Sequence, residues 1–428
     1  MSFYTLGCKV NQYETVIMEQ DFSARGYEVV PFGEKTDVSV INTCAVTEES
    51  ARKSRQMMRR AKKISPETVT VVVGCLAQTG DAEKLAEADV VVGSKHKRDV
   101  PRFVDEFLMN GKRVVAVGDM TFESDFEPMR TDRGERTRAQ IKIQDGCNNF
   151  CSYCIIPYAR GRIRSKDIDE AYEEAVSIVK NGYKEIVLTG IHLDSYGKEH
   201  GRFDLCDLLE RMDTIKGLER VRLGSLEPIF INDKNVERLK NLRTLCPHFH
   251  LSLQSGCDET LKRMNRHYDT AEYAELCEKL RRHFPNCAIT TDIMVGFPQE
   301  TDEEFEKSLA FAKKISFAET HIFPYSRRPT TVADKMKGQL DRKTKHSRAA
   351  QMADVCNETK ALYLKSLVGT VQEVLFEKET SSQWHQGHAP NYVTVKIPRT
   401  SEEVSLRRQL LKIEITSSDG EFCYGKLI

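Results

Sequence analysis

The sequence predicts an α/β protein in three parts: an N-terminal open parallel α/β sheet, a central partial (β/α)6 barrel, and a small C-terminal β-barrel. Three observations predict it. Over residues 1–116, short apolar runs alternate with helical patterns, as in a parallel sheet covered by helices. Over residues 139–366, six strand-like runs recur with helices between them, as in a barrel. Over residues 367–428, the pattern changes to short alternating strands broken by Gly, Asn and Pro. At 428 residues the chain also exceeds what a single core usually organises.

In the first part, strands are expected at Ser2–Leu6, Val38–Asn42, Val69–Val73 and Val90–Val92. Helices are expected near Glu14–Ala24, Glu48–Lys63, Asp81–Glu87 and Pro101–Met109, the third opening on an aspartate suited to capping. From 117 to 138 the apolar periodicity fades and charged, Gly and Pro residues dominate, which reads as an interdomain linker. The barrel strands are expected at Ile141–Ile143, Ile186–Leu188, Val221–Leu223, Phe249–Leu253, Ile289–Val295 and His321–Pro324. Each is followed by a polar, Gly-containing loop, where a (β/α) barrel carries its functional groups. After a helical run over Arg342–Leu367, the segments GTVQEVLFE, NYVTVKIP, QLLKIEITSSD and FCYGKLI supply the last strands.

Charged residues make up 30% of the chain and cancel to a formal net charge of zero, so any surface for a polyanion must be local. No run approaches the roughly 20 apolar residues of a membrane helix, and the start MSFYTLGCKVNQ lacks a signal-peptide pattern. A cytoplasmic protein with no membrane partner is expected. Thirteen cysteines, an odd number, make a disulfide framework improbable and point to metal binding or catalysis. Cys206, Cys246, Cys277, Cys287 and Cys356 sit among apolar or helix-like residues and read as small buried hydrophobes.

Cys147, Cys151 and Cys154 form C-x3-C-x2-C just beyond the first barrel strand. Three thiolates can ligate three irons of a [4Fe–4S] cube and leave the fourth iron open to a small molecule. Zinc is the alternative, but a structural zinc site wants four ligands, and no His lies close by in sequence. Cys8, Cys44 and Cys75 each follow a predicted strand by two residues, so an open parallel sheet would bring them together beyond its carboxyl edge. On spacing alone, a second cluster and buried core cysteines both remain open there.

The C-x3-C-x2-C loop, with Tyr153 before its last cysteine, resembles the cluster loop of the radical S-adenosylmethionine superfamily. The segments YTLGCKVNQYET, INTCAVTEESARKSRQ, VVVGCLAQ and GCNNFCSYCIIPYARGRIRS are similar to the methylthiotransferases of that superfamily, and the last strands resemble the TRAM module. This resemblance implies two [4Fe–4S] clusters, one auxiliary on Cys8, Cys44 and Cys75, the other catalytic on Cys147, Cys151 and Cys154. It implies S-adenosylmethionine as cofactor, an electron donor such as flavodoxin or ferredoxin, and a tRNA anticodon stem-loop as partner. Lys9 after the first cysteine resembles the branch that adds a methylthio group to C2 of N6-threonylcarbamoyladenosine at position 37. Methylthiolation of isopentenyladenosine tRNA or of a ribosomal protein, and a non-enzymatic RNA-binding redox sensor, are the alternatives.

Cofactor contacts are expected on the strand-end loops, from Tyr153, Thr189, Gly190, Ser225, Glu227, Gln254, Ser255, Asp292 and Gly296. Strand-end turn and capping duties are the competing reading of each. For RNA phosphates, the basic stretch Arg52–Lys63 and the group Arg160, Arg162, Arg164 and Lys166 are candidates, against the ordinary reading of a solvated face. Trp384, His385, Tyr392 and Tyr424 could stack on bases or fill the small barrel.

Overall fold

Alternating valines build the first sheet. In a computed structural model, which describes residues 1–80, 85–131, 137–378, 381–399 and 405–428, the elements begin with β1 (Ser2–Thr5), α1 (Lys9–Ser23), β2 (Val38–Thr43) and α2 (Glu48–Ile64). They continue with β3 (Val69–Gly74), α3 (Cys75–Thr79), β4 (Val90–Val92), α4 (Val100–Asn110) and β5 (Val114–Ala116). The five strands pair in parallel in the order β1-β2-β3-β4-β5. Successive residues of a strand face opposite ways, so Val38, Val40, Val71, Val73 and Val90 pack on Met18 and Phe22 of α1 and on Phe103 and Val104 of α4. Ile41, Val72 and Val91 face the other way, against Met57 and Met58 of α2 and Leu76 of α3.

Helix α1 starts at Lys9, five residues before the expected start at Glu14. Its first turns bury Asn11, Glu14 and Thr15, polar residues that break apolar periodicity because their partners are distant in sequence. The expected helix Asp81–Glu87 opens on residues 81–84, which lie outside the described residues. Strand β5 and the short α3 were not foreseen.

The second part comprises β6 (Ala139–Lys142), β7 (Gln144–Asp145), α5 (Ile156–Arg160), β8 (Arg164–Ser165), α6 (Ile168–Lys180), β9 (Glu185–Thr189) and α7 (Leu205–Asp213). There follow β10 (Arg220–Leu223), β11 (Ser225–Leu226), α8 (Asp233–Leu239), β12 (His248–Leu251), α9 (Asp258–Arg263) and α10 (Thr270–His283). It ends with β13 (Ala288–Val295), α11 (Asp302–Ile315), β14 (Glu319–Pro324), α12 (Val332–Lys335) and α13 (Arg342–Ser366). The parallel sheet runs β6-β9-β10 and, past Gly224, β11-β12-β13-β14, which makes six strand positions as expected. Its main core contains Ile141, Leu188, Leu223, Phe249 and Ile293, together with Cys206, Cys277, Cys287 and Cys356. These four cysteines, and Cys246, are buried as read.

The last part is a closed barrel of β15 (Val371–Phe376), β16 (Trp384–His388), β17 (Thr394–Pro398), β18 (Leu410–Ser418) and β19 (Cys423–Leu427), ordered β15-β16-β17-β19-β18. Closure leaves no free edge.

Charged contacts tie the parts together. Helix α1 lies along β6, where Gln140 Nε2 donates to Gln12 Oε1 at 3.1 Å and Lys142 pairs with Glu14 at 2.9 Å. Residues 117–131 carry no helix or strand, yet the segment is fastened: Tyr13 donates to the Met129 carbonyl at 2.9 Å and Gln20 to Thr131 at 2.8 Å. The C-terminal barrel docks through Arg222, which donates to the Pro390 carbonyl at 2.8 Å, and Arg220, which donates to the His388 carbonyl at 3.1 Å. Both arginines are anchored by the fully buried Glu185, at 2.8 and 3.6 Å. No helix among the described residues is long and apolar enough to cross a membrane.

Replacing Glu185 with Ala strands Arg220 and Arg222 in a dry interior, which is expected to cost about 3–5 kcal/mol. A lowered thermal unfolding midpoint, with the C-terminal barrel the first part cleaved by protease, is the expected readout; an unchanged midpoint would contradict the anchoring role.

Candidate active site

The carboxyl edge of the first sheet gathers three thiols. Cys44 directly follows β2 and Cys75 directly follows β3, because Thr43 and Gly74 remain paired in register. Cys8 lies three residues past β1 and caps α1. The uniform two-residue offset read from the sequence is corrected accordingly. Gly7 turns the chain out of β1 with φ 101°, and a Cβ there would stand 3.0 Å from Cys44 Cβ, so the Cys8 loop lies directly against Cys44. Asn11 holds that loop, donating to the Leu6 and Thr43 carbonyls at 2.8 and 2.9 Å and accepting the Cys8 thiol at 3.7 Å. Burial pushes the Cys8 and Cys44 thiols up, and each is within electrostatic reach of Cys75.

The second trio sits on the loop between β7 and α5. Gly146 opens it with φ 71°, and a Cβ there would overlap the carbonyl of Arg162. The Cys147 amide donates to the Gly161 carbonyl at 3.0 Å, Ser152 donates to the Met264 and Arg263 carbonyls at 3.0 and 2.8 Å, and Ala333 N donates to the Ser152 carbonyl at 2.7 Å. The loop is therefore fixed from three sides. Burial pushes the Cys147 and Cys154 thiols up to about 12, with Cys151 adding to both. Arg266, not singled out in the sequence, donates to Cys151 Sγ at 3.2 Å and pairs with Glu227 at 2.5 Å. Tyr153 packs against an apolar cluster containing Met264, Phe297 and Tyr325. The two trios are neighbours, since Cys75 and Ala45 pack on Ile155 and Ala159 from the second loop and α5.

A cavity of about 720 Å³ opens between the parts. Cys8 and Lys9 line it from the first sheet; Thr189, Gly190, Ser225 and Asp292 line it from the barrel strands; Tyr392 lines it from the C-terminal barrel. His250 and His321, whose rings lie 5.9 Å apart, also face it, and His250 Nε2 stands 3.3 Å from Asp292. The sequence carries a signal for His250: in a parallel strand buried on both faces, a polar residue marks a lumen. Gln254, at φ 68°, keeps Oε1 buried with no hydrogen-bond partner. Tyr153, Glu227, Gln254, Ser255 and Gly296 do not line this cavity. Ser255 accepts from the Cys257 amide at 3.3 Å, and Gly296 N donates to Glu300 at 2.7 Å, both turn contacts.

The donor sets fit cubane iron–sulfur clusters. Each trio offers three sulfurs and no fourth protein ligand in its own sequence run, and Arg266 supplies a charge-assisted donor to the second. Among the described residues, no three His, Cys, Asp or Glu side chains close around a point of single-ion size. Gln254 Oε1 is a buried acceptor that no donor of the chain satisfies. Of the expected phosphate-binding residues, Arg160, Arg164 and Lys166 are internal instead, each at most 5% exposed and ion-paired, so their charge serves the fold. Arg162 is exposed, as are Arg52, Lys53, Arg59, Arg60 and Lys63 on α2.

A partial parallel barrel carrying such a loop after its first strand defines a radical S-adenosylmethionine enzyme, and residues 141–312 match the family model "Radical SAM superfamily". Residues 1–93 match the model "Uncharacterized protein family UPF0004". The threonylcarbamoyladenosine tRNA methylthiotransferase MtaB of Bacillus subtilis is 38% identical over 99% of this chain and 96% of its own length. That of Thermotoga maritima is 38% identical over 99% and 98%. A tRNA-2-methylthio-N(6)-dimethylallyladenosine synthase of Clostridium botulinum is 35% identical over 87% and 85%. The chain belongs to the methylthiotransferase family of radical S-adenosylmethionine enzymes. Among solved structures, the radical S-adenosylmethionine methyltransferase TsrM of Kitasatospora setae shares the fold, with a TM-score of 0.54 at 14% identity over 78% of this chain and 73% of that one.

Gly146→Ala forces a Cβ into the Arg162 carbonyl at a left-handed position. The variant is expected to lower the iron bound per chain after anaerobic reconstitution; unchanged iron would show that the loop tolerates the change.

Proposed function

We propose that this chain adds a methylthio group to C2 of N6-threonylcarbamoyladenosine at position 37 of tRNA, beside the anticodon. One observation carries the reading: Cys8 of the first trio and the strand-end loops of the barrel open into one cavity of about 720 Å³. Cys147, Cys151 and Cys154 would hold the catalytic [4Fe–4S] cluster, and Cys8, Cys44 and Cys75 the auxiliary one. Bound there, the clusters supply the electron that cleaves S-adenosylmethionine into a radical source, and a place for the sulfur to be transferred.

The chain's own residues do the placing. Tyr153, Thr189, Gly190, Ser225, Glu227, Gln254, Ser255, Asp292 and Gly296 are the proposed contacts or supports for S-adenosylmethionine. Gln254 Oε1 offers a free acceptor, and Arg266 fixes Glu227 beside Cys151. Enclosing the reacting atoms keeps a reactive radical from solvent.

The charge around Lys9 favours the threonylcarbamoyl substrate over an isopentenyl one. Lys9 lines it, and burial followed by Arg222 and Arg138 pushes its ammonium down, while the nearby Glu185 is already engaged by Arg222 and Arg220. An anionic substituent relieves that local excess of positive charge, and an isopentenyl group cannot. The threonylcarbamoyl group carries a carboxylate. Residues 1–116, 139–366 and 367–428, joined through 117–138, are proposed as the auxiliary-cluster, radical and RNA-binding domains. The exposed basic face of α2 and the Trp384–Tyr424 pair, with ring centroids 5.3 Å apart, are proposed contacts to an anticodon stem-loop. Electrons would come from a donor such as flavodoxin or ferredoxin.

Cys151→Ala is expected to abolish 5′-deoxyadenosine formation, whereas Cys75→Ala should keep it and lose the methylthio product. Mass spectrometry of nucleosides from threonylcarbamoylated tRNA decides the matter, and no methylthio product from the wild type would end the proposal. Lys9→Gln removes a charge-assisted contact of about 1.5–3 kcal/mol, so kcat/KM for that tRNA should fall about 10- to 100-fold with cluster content unchanged. Equal loss on isopentenylated tRNA would deny Lys9 its role in selection.

A further inference from the structure

Beside the three N-terminal cysteines lies a buried charge network that the proposed reaction leaves unused. Glu14 Oε1 meets Lys97 at 2.8 Å, Lys142 at 2.9 Å and Arg160 at 2.9 Å. Asp145 meets Lys142 at 2.6 Å, Arg160 at 3.1 Å and Arg164 at 3.4 Å. None of these six side chains is more than 5% exposed. Four cations thus face two carboxylates, a formal surplus of two positive charges. The neighbouring pairs do not cancel it, because Lys166 with Glu174 and Lys95 with Glu123 are each already balanced.

Unbalanced buried charge is costly, and a fold tolerates it where a counter-charge stands close by. The contacts show where that counter-charge belongs. Arg160 Nη2 donates to Asn11 Oδ1 at 2.7 Å, the same atom that accepts the Cys8 thiol at 3.7 Å. Cys75 lies within electrostatic reach of Arg160, and Ala159, the residue before it, packs against Cys75.

We propose that Lys97, Lys142, Arg160 and Arg164, partly offset by Glu14 and Asp145, form the buried counter-charge of a [4Fe–4S] cluster on Cys8, Cys44 and Cys75 and set its reduction potential. This rests on the reading that those three thiols hold a cluster. An oxidised cube with three thiolates is a net anion and gains a further negative charge on reduction. A fixed positive surplus therefore favours the reduced form and raises the potential. The six residues act through Asn11 and through the field; they are positioning residues and touch no reacting atom.

The test is potentiometric titration, followed by electron paramagnetic resonance, of the full-length chain with its clusters assembled anaerobically. Lys97→Met removes a positive charge from a side chain that touches neither Asn11 nor a cysteine, and Glu14→Gln removes a negative one. The auxiliary potential is expected to fall in the first and rise in the second. Each shift should be about tenfold in the reduction equilibrium, which for one electron is about 59 mV. A purely structural network predicts no shift or shifts of the same sign, and either result overturns the proposal. Iron and sulfide counts keep the two failures apart: a single cluster per wild-type chain refutes the cluster reading itself, whereas two clusters with unmoved potentials refute only the tuning. If either variant does not fold, the other alone carries the sign.

Discussion

The contact on which the arrangement depends is the one between Glu14 of α1 and Arg160 of α5. Glu14 comes from the N-terminal sheet and Arg160 from the loop-and-helix unit that carries the second trio of cysteines, and both are fully buried. Their pairing at 2.9 Å, joined by Lys97, Lys142 and Asp145, clamps the two cysteine-bearing edges face to face. Burial alone would raise the Glu14 carboxyl, but Arg160, Lys142 and Lys97 bring it below the usual carboxylate range, so it stays charged. A hydrophobic contact of the same area would be less directional. Charged groups in a dry interior tolerate few geometries, and that fixes how one trio faces the other.

Most of the fold was legible because parallel strands buried on both faces read as dense runs of Val, Ile and Leu. Strands β2, β3, β4, β9 and β13 announce themselves in this way. The polar half of the interior did not. Helix α1 was placed late because Asn11 and Glu14 answer to residues such as Arg160, 149 and 146 positions away. For the same reason Arg160, Arg164 and Lys166 read as an RNA-facing run: a sequence shows a cation but not a counter-ion folded against it from far away.

The site was legible in its cysteines and less so in its setting. Local spacing picks out the second trio and strand ends the first, with Cys8 three residues past β1 and Cys44 and Cys75 one past β2 and β3. Arg266 gives no signal, being one arginine among many until the loop after α9 brings it onto Cys151. Gln254 was read as a polar contact, but that its Oε1 lacks a partner is a property of packing alone.

The wall of the cavity is drawn from all three parts of the chain, including Tyr392, whose ring lies between Arg138 at 5.2 Å and Arg222 at 4.6 Å. Deleting the C-terminal barrel would therefore open the cavity as well as discard the surface proposed to face RNA. A truncated chain that fails to act on tRNA says nothing by itself about which of the two losses mattered.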